Sequence, residues 1–420
     1  MSVPLAVILT VLAMAVISIL VNNFIPTERK IKHHLPHHYG IKDPQFVRAI
    51  GQLLGPPVLE GNTVDILENG IRIFPAMAEA ISKATQTVTL ESYIWTEGQV
   101  TEQFSTQLAG CAQRGVKVHV LLDAAGCGLS DGPTMTRMRE AGVEVEVYHL
   151  SNVARFNFRT HRKLLVIDGT VGFIGGVGFA DDWLGDADSA QHWRDTHFRV
   201  TGPVVAQLQA AFNDNWMKAR ARVLDGKDYF PVLLPTGSVS CQTFKSSPQE
   251  GSESARLMFL LSLAAAEHSI HIGNAYFVPD DLTVETLLQA RQRGVTIDVI
   301  IPGDHQDSNI VRRACRERSG RLLAAGVRFY EYQPTMYHCK CLIIDGFWCS
   351  VGSSNFDNRS FRLNDEANLN ILDREVAGQL TKQFVRDRSA AREVTYGEWQ
   401  NRRWVRKIAD KLCALLRSQI

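Results

Sequence analysis

Apolar and polar positions divide the chain into three stretches. Val3 to Phe24 is a run of 22 residues without a charge, about 33 Å as a helix at ~1.5 Å per residue, enough to cross a bilayer core. From about residue 60 to about residue 390, short apolar strands alternate with helix-period runs. That alternation predicts an α/β fold with a largely parallel core sheet in each half. Beyond Trp399 the pattern changes again. Trp404, Ile408, Leu412, Leu415 and Leu416 recur at helical spacing, with Arg402, Arg403, Arg406, Lys407, Lys411 and Arg417 around them. This suits either a helix in an anionic lipid interface or one packed on the body with a solvated basic face.

The middle stretch repeats itself. Val88 to Trp95 parallels Ile270 to Val278, Gln113-Arg-Gly-Val116 recurs as Gln292-Arg-Gly-Val295, and Ala141-Gly-Val143 recurs as Ala325-Gly-Val327. Offsets of 179 and 184 residues separate Gln113 from Gln292 and Ala141 from Ala325. The expected organisation is 1–27 membrane anchor, 28–57 juxtamembrane segment, 58–224 first repeat, 225–250 linker, 251–390 second repeat and 391–420 basic amphipathic tail. Ser252 to Ser254 is expected to open the first helix of the second copy. No Lys or Arg precedes the apolar run and Arg29, Lys30 and Lys32 follow it. Positive residues stay cytoplasmic, so a single-pass anchor in the inner (cytoplasmic) membrane with the body on the cytoplasmic side is expected. A cleaved secretory signal is the competing reading, but the basic leading region and a clean cleavage site are missing.

The repeat carries chemistry. His161-x-Lys163-x4-Asp168 recurs 177 residues later as His338-x-Lys340-x4-Asp345. In an extended strand residues two apart share a face, so each His and Lys point together into one pocket. The apolar runs then reach Asp168-Gly169 and Asp345-Gly346, a strong hairpin signal. With those two residues as the turn, Ser353 falls opposite His338, and a one-residue slip substitutes Asn355. The same arithmetic sets Gly176 or Gly178 opposite His161. Each hairpin thus offers a His, a Lys and small or polar groups at one end. Asp168 and Asp345, counted with the catalytic motif, sit at the other end and are expected to act as structural partners.

Two histidines with two lysines suit double displacement at phosphorus. The lysines supply fixed positive charge to an anionic phosphate. A neutral histidine attacks phosphorus, and a protonated one donates to the leaving alkoxide. Imidazole serves both tasks because its pKa lies near 7. Each ring needs an acceptor to fix its tautomer, and Asp195 and Glu366, 34 and 28 residues after their histidines, are the candidates. No metal and no cofactor are required. Asp181, Asp182, Asp186 and Asp188 read as a solvated loop, and the His33-His34 and His37-His38 run reads as juxtamembrane polar sequence.

The duplicated motif, with Gly352-Ser353-x-Asn355 after the second copy, resembles the phospholipase D superfamily over roughly residues 60 to 390. Within it, Val351 to Glu366 and Trp193 to Pro203 are similar to the bacterial cardiolipin synthases. The resemblance implies two pseudo-symmetric phospholipase D-like α/β repeats, the active site at their interface, and an N-terminal transmembrane helix. It implies metal-independent transphosphatidylation: phosphatidylglycerol donates its phosphatidyl group to a histidine, and the hydroxyl of a second phosphatidylglycerol accepts it. It also implies His161 as nucleophile and His338 as acid and base. Where the family carries Gly-Ser-x-Asn or Gly-Gly-x-Asn, the first copy reads Gly175-Gly176-Val177-Gly178, which removes an expected hydrogen bond to phosphate or substrate.

Composition adds little beyond this. Net charge is +1 and eight cysteines are scattered. Cys339 and Cys341 alternate with His338 and Lys340 and are expected on the opposite, buried face. A thiol core in a reducing compartment is favoured over a metal site with Cys349, because no CxxC spacing occurs. The partners expected are anionic phospholipid and the bilayer. Near-neutral charge argues against a nucleic-acid phosphodiesterase, which would want a basic groove with interleaved aromatics. A hydrolase giving phosphatidic acid would use the same residues, and a decayed lipid-binding scaffold is the non-enzymatic alternative. Oligomeric state is left open.

Overall fold

The computed structural model describes residues 3–24, 31, 33–128, 132–148, 157–248 and 254–418. The first repeat contributes β1 (Leu59–Glu68), β2 (Thr87–Ser92), β3 (Lys117–Asp123), β4 (Glu144–Tyr148), the two-residue β5 (Arg159–Thr160), β6 (Leu164–Ile167), β7 (Val171–Gly175) and β8 (Thr196–Thr201). The second contributes β9 (Val239–Ser246), β10 (Ser269–Asn274), β11 (Thr296–Pro302), β12 (Arg328–Tyr332), β13 (Lys340–Ile344), β14 (Trp348–Gly352) and β15 (Asn364–Leu372), and β16 (Ala391–Val394) follows.

In space the order is β4-β3-β2-β6-β7-β8-β1 in one half and β12-β11-β10-β13-β14-β15-β9 in the other. The two orders match strand for strand, and antiparallel pairing of β1 with β9 joins the halves into one sheet. β2-β3-β4 and β10-β11-β12 are parallel, as is the short pairing of β5 with β15. The remaining pairs are antiparallel, so each half is mixed and not largely parallel. The reason is local: each motif hairpin sends the chain straight back, and the next strand adds to that return. β9 is the counterpart of β1 and lies inside 225–250, so that stretch is more than a linker. The helix expected after residue 251 begins at Ser254 in the described residues.

The repeated Arg-Gly pairs end equivalent helices. Gln99–Gln113 stops at Arg114 with Gly115 at φ +87°, and Asp281–Gln292 stops at Arg293 with Gly294 at φ +93°. A glycine just past a helix end takes the left-handed conformation that closes the last turn without a Cβ penalty.

Three clusters form the core. Two belong to the separate halves, and the third is shared, with Leu121, Ile174, Phe212 and Trp216 from the first half against Cys339, Val351, Leu369 and Phe384 from the second. The halves are therefore held by a common interior, which fixes what each presents to the other.

Val3–Phe24 is one helix of 22 residues. Its side chains at 3, 4, 6, 19 and 22–24 lie outside the described set, as do residues 25–30 and 32. Among the described residues no helix is long and apolar enough to cross a membrane.

Candidate active site

The hairpins form, with a register neither expectation named. Ile167 pairs with Val171 and Ile344 with Trp348, so the loops hold three residues. Asp168 and Gly169, like Asp345 and Gly346, take positive φ, and a third residue follows before pairing resumes. Extended to the histidines, this register sets Val177 and Ser354 opposite them, in place of Gly176 or Gly178 and Ser353 or Asn355. The histidines themselves precede the ladder strands.

They are held across the interface instead. The His161 N–H donates to Asp365 O at 2.9 Å, and the His338 N–H donates to Arg194 O at 2.8 Å. One residue further along each strand stands the ring's acceptor. His161 Nδ1 is 3.1 Å from both oxygens of Glu366, and His338 Nδ1 is 2.7 Å from Asp195 Oδ2. The acceptors are the expected residues, but the pairing is crossed: each carboxylate serves the histidine of the other half. Holding Nδ1 this way aims Nε2 into the cleft and fixes the tautomer.

What precedes His161 is also anchored. The Thr160 N–H donates to Asp123 Oδ2 at 2.7 Å, and the Thr160 hydroxyl donates to Glu91. Arg162, fully buried, donates to Glu366 O, Ala211 O and Ser246 O, stitching the halves beneath the site. Arg194, from the first half, does similar work, donating to Asp195 O at 2.6 Å and pairing with Asp387 of the second half at 2.9 Å.

Both lysines fold back over their own histidines. Lys163 Nζ donates to His161 O at 2.7 Å and Lys340 Nζ to His338 O at 2.8 Å. Burial, with the neighbouring Lys340 charge, lowers Lys163 to about 7, and burial also lowers Lys340. Burial lowers His161 to about 4 against the pull of Glu366, and burial and Lys340 lower His338 against Asp195. Burial alone would raise both carboxylates. His161 and Lys163 outweigh it at Glu366, and His338 and Lys340 at Asp195, so both stay ionised below the usual range. The cleft thus holds neutral imidazoles over anchored carboxylates, with cations that an anion would recharge.

Asp168 and Asp345 are not brought to this cleft. Asp168 accepts from the N–H groups of Thr85, Gln86 and Thr87, and Asp345 from those of Glu267, His268 and Ser269. Each ties its hairpin turn to the start of the neighbouring strand, which places it in the framework and not in the chemistry. Ser353 donates to Glu366 at 2.5 Å. Asn355 lines the cleft, and its Oδ1 is buried without a hydrogen-bond partner among the described residues. Gly176 is the first-half counterpart of Ser353, and a Cβ there would lie 2.4 Å from Asp195 Oδ1. A Cβ on Gly178 would lie 2.7 Å from Ile94 Cβ. The first half therefore has no room for the asparagine its sequence lacks.

The cleft is also lined by residues that motif reasoning missed: Tyr93, Trp183, Trp193, Tyr276, Arg159 and Arg359. Tyr93 meets His161 edge-on at 5.3 Å, with Lys163 Nζ 5.4 Å from its ring centre. Trp183 and Trp193 flank His338 at 5.2 and 5.3 Å, and Trp183 Nε1 donates to Asp195 at 3.0 Å. The repeat carries only a near signal for two of them, because strand pairing makes Tyr93-Ile94-Trp95 the counterpart of Ala275-Tyr276-Phe277 and sets the two tyrosines one position apart. The acidic loop is not merely solvated either. Asp181 caps the helix Gln99–Gln113 through the N–H groups of Gln99 and Val100, and Asp182 lines the cleft. Among the described residues no cluster of three or more His, Cys, Asp or Glu is placed to hold a metal ion. Among the described residues no disulfide forms, with Cys339 and Cys349 buried and Cys341 half-buried.

Known proteins carry the same arrangement of halves. The family described as cardiolipin synthase, PLD-like domain, matches residues 77–216 and 260–388. Cardiolipin synthase A of Pseudomonas putida is 33% identical over 374 residues, covering 88% of this chain and 77% of that protein. Cardiolipin synthase A of Pseudomonas fluorescens (strain SBW25) is 34% identical over 374 residues, covering 88% and 78%. The crystal structure of phosphatidylserine synthase from Haemophilus influenzae Rd KW20 superposes with a TM-score of 0.69 at 15% identity, over 90% of this chain and 100% of that one. At that identity the likeness speaks for the fold alone. The family match spans both halves, each with its His and Lys, and the chain belongs to the cardiolipin synthase family of phospholipase D-like proteins.

Proposed function

We propose that the chain is a cardiolipin synthase-type phosphatidyltransferase working through a phosphohistidine. The observation that carries this reading is the convergence of two His-Lys pairs in one cleft, each ring oriented by a buried carboxylate from the opposite half. His161, neutral with Nδ1 bonded to Glu366, presents the Nε2 lone pair to phosphorus. Burial and Lys340 keep His338 neutral in the free protein, and its short Asp195 contact, joined by the charge of a bound phosphate, favours the proton it needs as the acid. As Nε2 of His161 attacks phosphatidylglycerol, the bond from phosphorus to the glycerol oxygen breaks, and His338 protonates that oxygen. His338 then takes the proton of a hydroxyl on a second phosphatidylglycerol. That oxygen attacks phosphorus, the P–N bond breaks, and cardiolipin leaves with His161 restored. Lys163 and Lys340 hold the phosphoryl oxygens throughout. Asn355 is read as a substrate contact, and Ser353 and Gly176 as the residues that shape the two carboxylate environments.

In the same reading Val3–Phe24 anchors the chain in the inner membrane with the body on the cytoplasmic side. The charge-free run of 22 residues in the sequence supports this, and so do Arg29, Lys30 and Lys32 after it. The repeats are taken as 58–224 and 251–390 with β9 counted to the second. The test is lipid mass spectrometry after incubation with phosphatidylglycerol vesicles and a chelator. Cardiolipin with free glycerol is expected. Phosphatidic acid alone would make the chain a hydrolase, and no lipid product would sink the reading.

A further inference from the structure

The helix Trp404–Leu415 is mounted the wrong way round for a surface helix in water. Its buried residues are Asp410 and Ala414. Asp410, fully buried, accepts from Arg402 Nη1 at 2.8 Å and has Arg313 and Arg316 at 3.8 and 3.9 Å. The apolar residues point outward: Trp404 is 72% and Leu415 76% exposed, with Val405, Ile408, Leu412 and Leu416 exposed beside them. Arg403, Arg406 and Lys411 are exposed on the same helix. Its one acidic residue faces inward, so the outer face is apolar and cationic together.

Two further contacts fix which side of the molecule this is. Ile31 and His34, which follow the N-terminal helix in sequence, border one surface pocket with Arg417 and Ser418, and Arg256 donates to Ile31 O at 3.0 Å. Asn358 Nδ2 donates to Arg417 O at 2.8 Å, and the next residue, Arg359, lines the catalytic cleft. The segment at Ile31 and His34, the end of the C-terminal helix and one wall of the active site are thus neighbours.

We propose that Trp404–Leu416 lies in the interface of an anionic bilayer, with the Trp404, Ile408, Leu412 and Leu415 stripe at the acyl boundary. It forms a second attachment on the side of Ile31 and His34, which follow the N-terminal helix in sequence. Outward apolar residues with interleaved cations match an anionic lipid surface. They match a second copy poorly, because a twofold contact would set like charges against each other. Its role in presenting the catalytic cleft to lipid rests on the phosphatidyltransferase reading, but its lipid contact does not.

The test uses the full chain in vesicles of phosphatidylcholine with or without phosphatidylglycerol, and times tryptic cleavage after Arg403, Arg406 and Lys411. Slower cleavage with phosphatidylglycerol, relieved by salt, is the expected result. Leu412→Glu with Leu415→Glu should abolish that protection, while Arg406→Glu should weaken it roughly five-fold per charge removed. All three positions are exposed, and a thermal unfolding control separates loss of contact from loss of fold. Equal cleavage in both vesicle types overturns the proposal. So does protection that follows protein concentration instead of lipid charge, which would indicate a second copy on this face. If the vesicles yield no cardiolipin yet protection persists, the transfer reading fails and the lipid contact stands.

Discussion

The two halves share one strand order and one crossed pair of hydrogen bonds, yet they surround their carboxylates differently. Glu366 is enclosed by hydroxyls and an amide: Ser353, Ser360 at 2.7 Å and Asn364 at 3.3 Å. Among the described residues no hydroxyl donates to Asp195, which accepts from the Thr196 N–H at 2.8 Å. Gly176 stands where Ser353 would be, and Trp183 from the acidic loop donates in its place. His161 consequently meets a carboxylate whose charge is shared among several donors, at 3.1 Å, whereas His338 meets a less occupied one at 2.7 Å. A duplicated site need not have duplicated roles. The weaker acceptor suits a ring that must stay neutral, and the stronger one a ring that must carry a proton.

The largest effects come from removing the rings and cations. His161→Ala and His338→Ala should each abolish transfer, and Lys163→Ala or Lys340→Ala should cost several orders of magnitude, about 10³-fold or more if each supplies one charge-assisted contact in a dry cleft. Denaturing quench at alkaline pH during turnover, where a P–N bond survives, followed by peptide mapping under the same conditions, should find the phosphoryl label on His161. Label on His338 would reverse the comparison, and near-normal turnover of either alanine variant would end the two-histidine mechanism.

The crossed carboxylates come next. Asp195→Asn and Glu366→Gln should each lower kcat by about 10³–10⁴-fold, as expected when an orienting carboxylate is lost beneath a working histidine. They should separate on a phosphatidyl ester of p-nitrophenol, whose leaving group needs no proton. Asp195→Asn should recover much of the first-step rate there, because it impairs the acid His338, whereas Glu366→Gln should not. The opposite recovery would mean that carboxylates serve their own halves in solution.

A smaller change tests the glycine. Gly176→Ser would copy the second half, but its Cβ meets Asp195. A loss of about ten- to hundred-fold is expected from displacing one buried hydrogen bond, and Ser353→Gly should cost less because Ser360 and Asn364 remain. Wild-type rates in Gly176→Ser would show that the loop yields and that the two environments are interchangeable.

Much of this was legible because the chain repeats itself. The twin motifs, the Arg-Gly helix ends and both carboxylates could be read from spacing, since each is a local pattern occurring twice. The crossing was not legible. It depends on the shared core that sets Glu366 against His161 and Asp195 against His338, and nothing near those residues in sequence announces the partner half. The hairpin register failed for a narrower reason. Two left-handed residues usually make a two-residue turn, and here Thr170 and Phe347 each add a third before pairing resumes. Trp183 escaped notice because its value lies in a contact replacing an absent serine, and an absence has no motif.

The finest distinction is between the two lysines, and pH can draw it. In the free protein His161 is held near 4 and Lys163 near 7. Below 4 the nucleophile is protonated and cannot attack, so kcat/KM should rise as pH increases through that value. Above 7 Lys163 loses its charge and its grip on the phosphate, so kcat/KM should fall. Because kcat/KM reports the free enzyme, the bell should lie between about 4 and about 7. Lys163→Arg keeps the charge at any working pH, so its alkaline limb should move upward if Lys163 sets it. A limb that stays in place would show that Lys163 does not set it. The asymmetry between the halves would then reside in their histidines alone.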